Sequence, residues 1–369
     1  MSKYSFNEIS LKQFIFIIFE TQVGVGVLSL PGDLAKTAGT DGWISIILGW
    51  ILANLLSLVI IKIMEKNPGY TLFEILTNYF GKWVGKGLSV LWILYAMYIA
   101  SIALFSAIHI ITIWILPRTL NFILIILFII PNYLILKHGI KVIGIVSELV
   151  FITVLWIPLL LLYALKDAEW LYLLPIGKEG ILPILSTAKS TLLSFLGFEM
   201  AFLLYPFLKD KKSASKGIII ANSLSMSIFL MVTIVSFVKF APEEITDYLY
   251  PTLNLMKAIQ LPVIERLEIL FLPFYLFMPF MTIVPYLYMS VFGASHLLGK
   301  QDHRNLLLIA LFFWIAVSFF FIPSSDQITQ LNKGVSMIGI CFTFVFPILF
   351  GIYGWLYHSF RKERKHEKV

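Results

Sequence analysis

The chain has 369 residues, of which 59% are hydrophobic and only 13% are charged. A soluble domain carries about 25% charged residues, so the composition excludes a soluble globular protein and predicts a polytopic membrane protein. The net charge of +7 does not indicate nucleic-acid binding, because the basic residues lie between apolar runs. P-loop, zinc-protease, serine-hydrolase and Cys/His metal motifs do not occur in the sequence. We therefore expect no enzymatic activity, no metal and no cofactor.

Apolar runs predict about ten transmembrane α-helices, since each run can cross a hydrocarbon core of about 30 Å. The predicted spans are 12–34, 43–64, 87–114, 119–136, 142–165, 183–208, 217–240, 269–298, 305–322 and 334–358. The first run is too long for a cleavable signal peptide, so we expect it to remain as a span. The single cysteine, Cys341, excludes an intramolecular disulfide and is predicted to be a small core residue.

The basic residues are divided unevenly between the two sides of these spans. Nineteen lie on the side of the two termini and eight lie on the other side. The positive-inside rule therefore places both termini in the cytoplasm, and the regular alternation supports an even number of spans. The basic tail 359–369 is predicted to lie in the cytoplasm and to contact lipid headgroups.

Two connections are long, residues 65–86 on the inside and residues 241–268 on the outside. Each contains an amphipathic stretch, and one follows the second span while the other follows the seventh. This spacing predicts a single transporter-like domain made of two five-helix halves, 1–165 and 183–358. An odd number of helices per half makes the second half inverted relative to the first.

The first span is interrupted by Gly24 and Gly26, each costing about 1 kcal/mol relative to alanine in a helix. Unwound backbone at membrane depth is tolerated only where protein buries it or where it lines a cavity. N–H groups around Gly24, Val25 and Gly26 are expected to meet an anionic ligand group, and carbonyls near Gln22 and Val23 a cationic one. The alternative is a close helix contact made by small residues. If the glycines form a ligand site, Gly26→Val is expected to fill the space and block the response to ligand, and Gly24→Ala is expected to have a milder effect on that response.

The sixth span carries a matching interruption, Gly197 beside Glu199. Two interruptions at corresponding positions of the two halves predict a ligand site near the membrane midplane. Phe195 and Phe198 are predicted to form its apolar wall, with Tyr98 of the third span as a further candidate.

Four charged residues lie at membrane depth, Glu20, Glu148, Glu199 and Lys189, and are candidates for charge or proton transfer. Glu20 would lie at the C-terminal end of a half-helix, where the helix dipole and desolvation both favour the protonated acid. Glu199 would lie at the start of a half-helix, where the dipole favours the ionised form. Glu148 fits a structural carboxylate equally well, and Lys189 can extend to the outer interface. His109 is expected to be a hydrogen-bonded residue of the helix bundle.

Several segments together resemble the B subunits of bacterial spore germinant receptors. They are residues 21–31, 41–44, 69–76, 81–85, 197–199 and 204–206. This resemblance covers most of the chain. It implies the ten-helix, 5+5 inverted-repeat fold of the amino acid–polyamine–organocation transporter superfamily, with helices 1 and 6 broken.

The resemblance also implies a function. Such a subunit would sense a small nutrient germinant, an amino acid or nucleoside, in the inner membrane of a dormant spore. Its partners would be an A-type membrane subunit and a C-type lipoprotein. Sodium-coupled members of the superfamily carry a Ser/Thr pair on span eight, which residues 277–285 lack, so proton coupling or no coupled transport is expected. A free-standing amino-acid permease and a channel or scaffold that binds nothing are the alternatives.

The charge distribution makes a testable prediction of orientation. In a Cys341→Ala background, a cysteine at Ser2 should react with a membrane-impermeant maleimide only after the membrane is permeabilised. A cysteine at Thr246 should react from outside in intact cells. Labelling of the Ser2→Cys variant in intact cells would contradict the orientation.

Overall fold

The computed structural model describes residues 7–259, 266–300, 302–321 and 323–354, and its regular elements there are all helices. The predicted basic tail 359–369 and the end of the tenth predicted span lie outside the described residues. Six helical stretches in the described part are long and apolar enough to cross a membrane, or seven if the bent pair Ile181–Ser194 and Phe198–Phe207 is one span. Two shorter apolar helices accompany them. The protein is therefore an all-helical integral membrane protein.

The helices are numbered in chain order. They are α1 Leu11–Gln22, α2 Leu30–Ala38, α3 Gly42–Glu65, α4 Leu72–Trp114, α5 Asn121–Leu136, α6 Ile140–Val154, α7 Ile157–Tyr163, α8 Ile181–Ser194, α9 Ala201–Leu204, α10 Ala214–Lys239, α11 Glu244–Asp247, α12 Pro251–Ala258, α13 Leu267–Tyr275, α14 Phe277–Leu297, α15 Arg304–Phe320 and α16 Ser325–Ile340. A π-helical turn, Cys341–Val345, continues α16, and the described helix then runs on to residue 354.

Two expectations about the last span are wrong. The helix begins at Ser325, ahead of the predicted start at residue 334, because Ser324 and Gln327 form a capping box. Cys341 is exposed and is not a core residue. The hydrocarbon of a bilayer solvates an apolar side chain as well as a protein core does, so an apolar run does not reveal which of its residues face protein.

Helices α1 and α14 form the centre of the bundle. α1 packs against α6, α10 and α14, and α14 also packs extensively against α4. The stretch from Met278 to Val291 in α14 is buried without interruption. A helix that is apolar and buried on all sides is surrounded by other helices. This arrangement brings the third, eighth and first predicted spans together around the interruption near Gly24.

The two long connections each place an amphipathic helix against the bundle. On one side, the first turns of α4 bury Phe73 against Phe292 of α14. The chain leaves helical geometry at Gly81 (φ 76°, ψ 174°) before it continues as the long part of α4. On the other side, α12 buries Leu253 and packs against α2 and the turn that follows α1.

The turn at Gly81 generates a stability prediction. A Cβ atom on Gly85 would lie 2.5 Å from the Leu76 carbonyl oxygen, whereas one on Gly87 would meet no atom within 4 Å. We expect Gly85→Ala to destabilise the protein by about 1–3 kcal/mol through overpacking. Gly87→Ala should be neutral or stabilise it by up to about 1 kcal/mol through helix propensity.

Melting temperatures of the purified variants in detergent provide the measurement. Equal melting temperatures for Gly85→Ala and Gly87→Ala would show that the close approach at Gly85 is not present in the protein.

Candidate functional site

The interruption of the first span, break one, separates α1 from the 3₁₀ turn Val25–Leu28. Gly24 lies between them with φ −94° and ψ −145°, and its position is crowded, since a Cβ atom there would lie 2.6 Å from Thr282 Oγ1. The same hydroxyl of α14 lies 3.3 Å from the carbonyl oxygens of both Glu20 and Thr21. Gly24 therefore allows break one to pack directly on α14.

Side chains from the long connection 241–268 and the start of span eight complete break one. The Tyr275 hydroxyl donates to the Gly24 carbonyl at 3.0 Å, and the Thr252 hydroxyl donates to the Val27 carbonyl at 3.0 Å. Both bonds are buried. Carbonyls that lose their helical partners therefore obtain replacement donors from the protein, as membrane depth requires.

The interruption of the sixth span, break six, follows α8. Gly197 has φ 126° and ψ −23°, a region that L-residues with a Cβ atom avoid. The helical pieces on its two sides are bent by 44°. A Cβ atom on Gly197 would lie 3.0 Å from both Gln22 Cγ and Thr21 Cγ2. The two breaks are therefore in direct contact.

Glu199 organises break six. Its Oε2 accepts the backbone N–H of Gly197 at 2.8 Å. Its Oε1 accepts the hydroxyls of Tyr95 at 2.8 Å and Tyr286 at 2.5 Å. The side chain is completely buried. A carboxylate that accepts three hydrogen bonds has the partners that a buried charge needs.

A buried polar cluster formed by Gln22, Ser57, Asn222 and Ser225 joins break one to its neighbours. Gln22 Nε2 donates to the Phe195 carbonyl at 3.1 Å and to Asn222 Oδ1 at 2.7 Å. Gln22 Oε1 accepts the Ser225 hydroxyl at 2.5 Å, and Asn222 Nδ2 donates to Ser57 at 3.0 Å. Gln22 thus connects α1 both to break six and to α10.

The side chains predicted as ligand walls have different surroundings. Phe195 and Phe198 are completely buried, and Phe195 packs edge-on against Phe229 of α10. Gly26 is exposed, and a Cβ atom there would meet nothing within 4 Å. Val25 is half-buried beside it. The open side of break one is therefore at Gly26, and not at the phenylalanines.

The remaining predicted residues are not gathered at the breaks. The hydroxyl of Tyr98 donates to the Leu331 carbonyl of α16 at 3.1 Å. Half-buried Glu148 and exposed Lys189 make no hydrogen bond or ion pair within the part of the chain that the structure describes. His109 lies 3.0 Å from the Ser325 hydroxyl.

Glu20 differs from Glu199 in having no hydrogen-bond partner. Its side chain is completely buried, and neither carboxyl oxygen has a partner among the described residues. The hydroxyl of Ser147 on α6 is also buried without a partner among the described residues. Burial of an uncompensated charge is costly, so this carboxyl remains a candidate for a bound proton.

Sequence reasoning missed most of the residues that hold the breaks together. They are Tyr95, Tyr275, Tyr286, Asn222 and Ser225. The available signal was their polarity, because a hydroxyl or amide within an apolar span needs a partner at membrane depth. That signal marks the residues as bonded but does not identify their partners.

A comparison with known families agrees with this architecture. The model of the family described as "Spore germination protein" matches residues 8–329. The chain belongs to this spore germination protein family. Spore germination protein GerQB of Bacillus cereus is 28% identical over 347 residues, 93% of this chain and 94% of the relative. Spore germination protein B2 of Bacillus subtilis (strain 168) is 27% identical over 269 residues, 71% of this chain and 72% of the relative. Family members are transporter-like germination proteins and not enzymes.

Solved structures of transporters share the fold. MhsT in complex with L-phenylalanine aligns with a TM-score of 0.65 and 16% identity, covering 94% of this chain and 88% of MhsT. A Na⁺-coupled sialic acid symporter aligns with a TM-score of 0.65 and 12% identity, covering 95% of this chain and 80% of the symporter. At this level of identity the likeness establishes the fold only.

The three donors around Glu199 lead to a prediction for this germination protein. Glutamine at position 199 offers one acceptor oxygen and places an NH₂ group against hydroxyl or N–H donors. Leaving buried polar groups unpaired costs about 1–3 kcal/mol, so Glu199→Gln should lower the melting temperature of the purified protein. Tyr286→Phe removes only one donor and should cost less.

The matched control is Glu148→Gln, which removes the same charge from a carboxylate with no hydrogen-bond partner in the described structure. It should change stability by no more than about 0.5 kcal/mol. Equal effects of Glu199→Gln and Glu148→Gln would refute the role of the carboxylate at break six.

Proposed function

We propose that this chain is the membrane subunit of a spore germinant receptor. It binds a small nutrient of the amino acid or nucleoside class between its two broken helices and triggers germination. The observation that carries the proposal is the direct contact between break one and break six in a member of the spore germination protein family. A paired break is where transporters of this fold bind their substrates.

The proposed architecture is ten spans in two inverted halves, 1–165 and 183–358, in the spore inner membrane with both termini in the cytoplasm. The shared fold with transporters supports the inverted halves. The amphipathic helices of the two long connections support the inverted halves further. One follows span two and packs on α14, and the other follows span seven and packs on α2.

The ligand site is proposed at the open side of break one. Gly26 and half-buried Val25 provide the approach, and the 3₁₀ turn Val25–Leu28 begins there with its N–H groups. An anionic group suits these donors because the start of a helical turn carries partial positive charge. Gln22, Val23 and Gly24 would form the base of the site.

Break six would form the other side of the same site. Gly197 contacts Gln22, and the Phe195 carbonyl accepts a hydrogen bond from Gln22, so these residues and the adjacent Phe198 are proposed for this side. In this proposal Glu199 fixes the shape of break six. A ligand that displaces either break would change the hydrogen bonds that Tyr95 and Tyr286 donate to Glu199. Tyr98, half-buried on α4, would contact the ligand only at the edge of the site.

An A-type membrane subunit and a C-type lipoprotein are the proposed partners, on the strength of the family resemblance. Lys189 and Glu148 are the membrane-depth charges available for contacts with other subunits, since both lack partners within the described structure. Co-purification of the three subunits from spores tests this assembly.

The second candidate function is a free-standing, proton-coupled amino-acid permease. The observation that favours it is the buried, unpartnered carboxyl of Glu20 beside break one, a suitable position for a transported proton. Uptake of labelled amino acid by proteoliposomes containing this chain alone, driven by a pH gradient and lost in Glu20→Gln, would establish the permease.

Spores lacking the gene provide the test of the receptor. They are complemented with the parent, Gly26→Val or Gly24→Ala and exposed to single amino acids and nucleosides. The parent should restore germination with at least one nutrient. Gly26→Val should be normally abundant and need about tenfold more nutrient or more, equivalent to about 1.4 kcal/mol of lost binding.

Gly24→Ala is the structural control, and the geometry reverses the expectation that it would be the milder change. Its added methyl group would strike Thr282, so it should reduce abundance. An abundant Gly26→Val variant with the parental dose–response would refute the site. A parent that restores no nutrient response would refute the receptor function.

A further inference from the structure

A cavity of about 160 Å³ lies between break one and the helices α6, α7, α10 and α13. Val23, Val27 and Leu28 of break one form one wall. Phe151 and Leu161 face them from the fifth span, and other walls come from the seventh and eighth spans. The cavity is thus separate from the open side of break one at Gly26, which does not line it.

The chemistry of the lining selects a hydrocarbon. The lining hydroxyls of Tyr275, Thr252 and Ser227 each donate to a backbone carbonyl, so their protons are already used. The remaining lining side chains are aliphatic, aromatic or thioether groups. An apolar cavity of this size stays free of water and binds a molecule such as benzene. A charged or strongly polar ligand would find no free donor here.

The entrance of the cavity faces the hydrocarbon of the bilayer. Two lining residues, Leu155 on the fifth span and Ser227 on the seventh, are exposed. Leu155 lies between Ile152 and Leu159, which are 69% and 64% exposed. Large apolar side chains exposed on a membrane-spanning helix contact lipid. Lipid chains therefore have direct access between the fifth and seventh spans.

We propose that this cavity is a binding site for a segment of a lipid acyl chain. The chain enters between Leu155 and Ser227 and packs against Val23, Val27 and Leu28. Acyl chains are the hydrocarbon present at the entrance, and they require no polar partner. The lipid segment makes dispersion contacts with break one, whose carbonyls accept hydrogen bonds from Tyr275 and Thr252. It therefore stabilises the conformation of break one from the side that faces the bilayer.

Photo-crosslinking tests the site on the full chain without a germination assay. The purified protein is placed in nanodiscs of phosphatidylcholine that carries a diazirine in one acyl chain, irradiated, digested and mapped by mass spectrometry. Peptides covering 151–161 and 224–232 should be labelled several-fold more than the lipid face of α15, where Ile309 and Phe312 are each 64% exposed.

Two variants provide the contrast. Val154 is 7% exposed and lines the cavity, so Val154→Phe fills it and should reduce the labelling to the level of α15. Ile152→Phe adds the same ring on the outside of the same helix, away from the cavity lining, and should keep the excess. If Val154→Phe lowers protein abundance, Ser227→Phe at the entrance replaces it.

Labelling equal to that of α15, or an excess that survives both blocking variants, would overturn the proposal. Benzene provides a further arm. If lipid labelling is at background while added benzene raises the melting temperature of the parent but not of Val154→Phe, the cavity takes a free hydrocarbon and the lipid assignment is wrong.

Discussion

Hydrocarbon offers no hydrogen bonds, so a helix that unwinds at membrane depth must find partners for its backbone inside the protein. In break one, hydroxyls of Tyr275, Thr252 and Thr282 approach the freed carbonyls. In break six, the carboxylate of Glu199 takes the N–H of Gly197. The two breaks thus use opposite chemistry, hydroxyl donors in one and an acceptor carboxylate in the other.

The partners come from helices that are distant in sequence, so their hydrogen bonds connect several helices of the bundle at the two breaks. Glu199 draws α4 and α14 toward break six through Tyr95 and Tyr286. Gln22 bonds to the Phe195 carbonyl and, through Asn222, to α10. A displacement of either break therefore strains hydrogen bonds in several spans.

The extent to which the sequence predicts this arrangement depends on the physical signal. Glycines and charges inside apolar runs are rare and costly, so Gly24, Gly197 and Glu199 were identifiable from the sequence. Tyrosines are common in the chain, and helical position alone did not distinguish Tyr98, which bonds to α16, from Tyr95, which bonds to Glu199. The exposure of Cys341 was equally unpredictable, because lipid and protein surroundings select the same apolar residues.

The π-helical turn Cys341–Val345 constrains how the length of the last span can change during evolution. Phe342 of this turn stacks on the ring of Tyr95 at 4.3 Å between centroids, next to the hydroxyl that reaches Glu199. A π turn contains one more residue than the corresponding α-helical turn, and each residue rotates a helix by about 100°. Deleting a residue here would regularise the helix but turn Leu331 and its carbonyl away from Tyr98. A change in the length of this turn would therefore have to be matched by a second one elsewhere in the same helix.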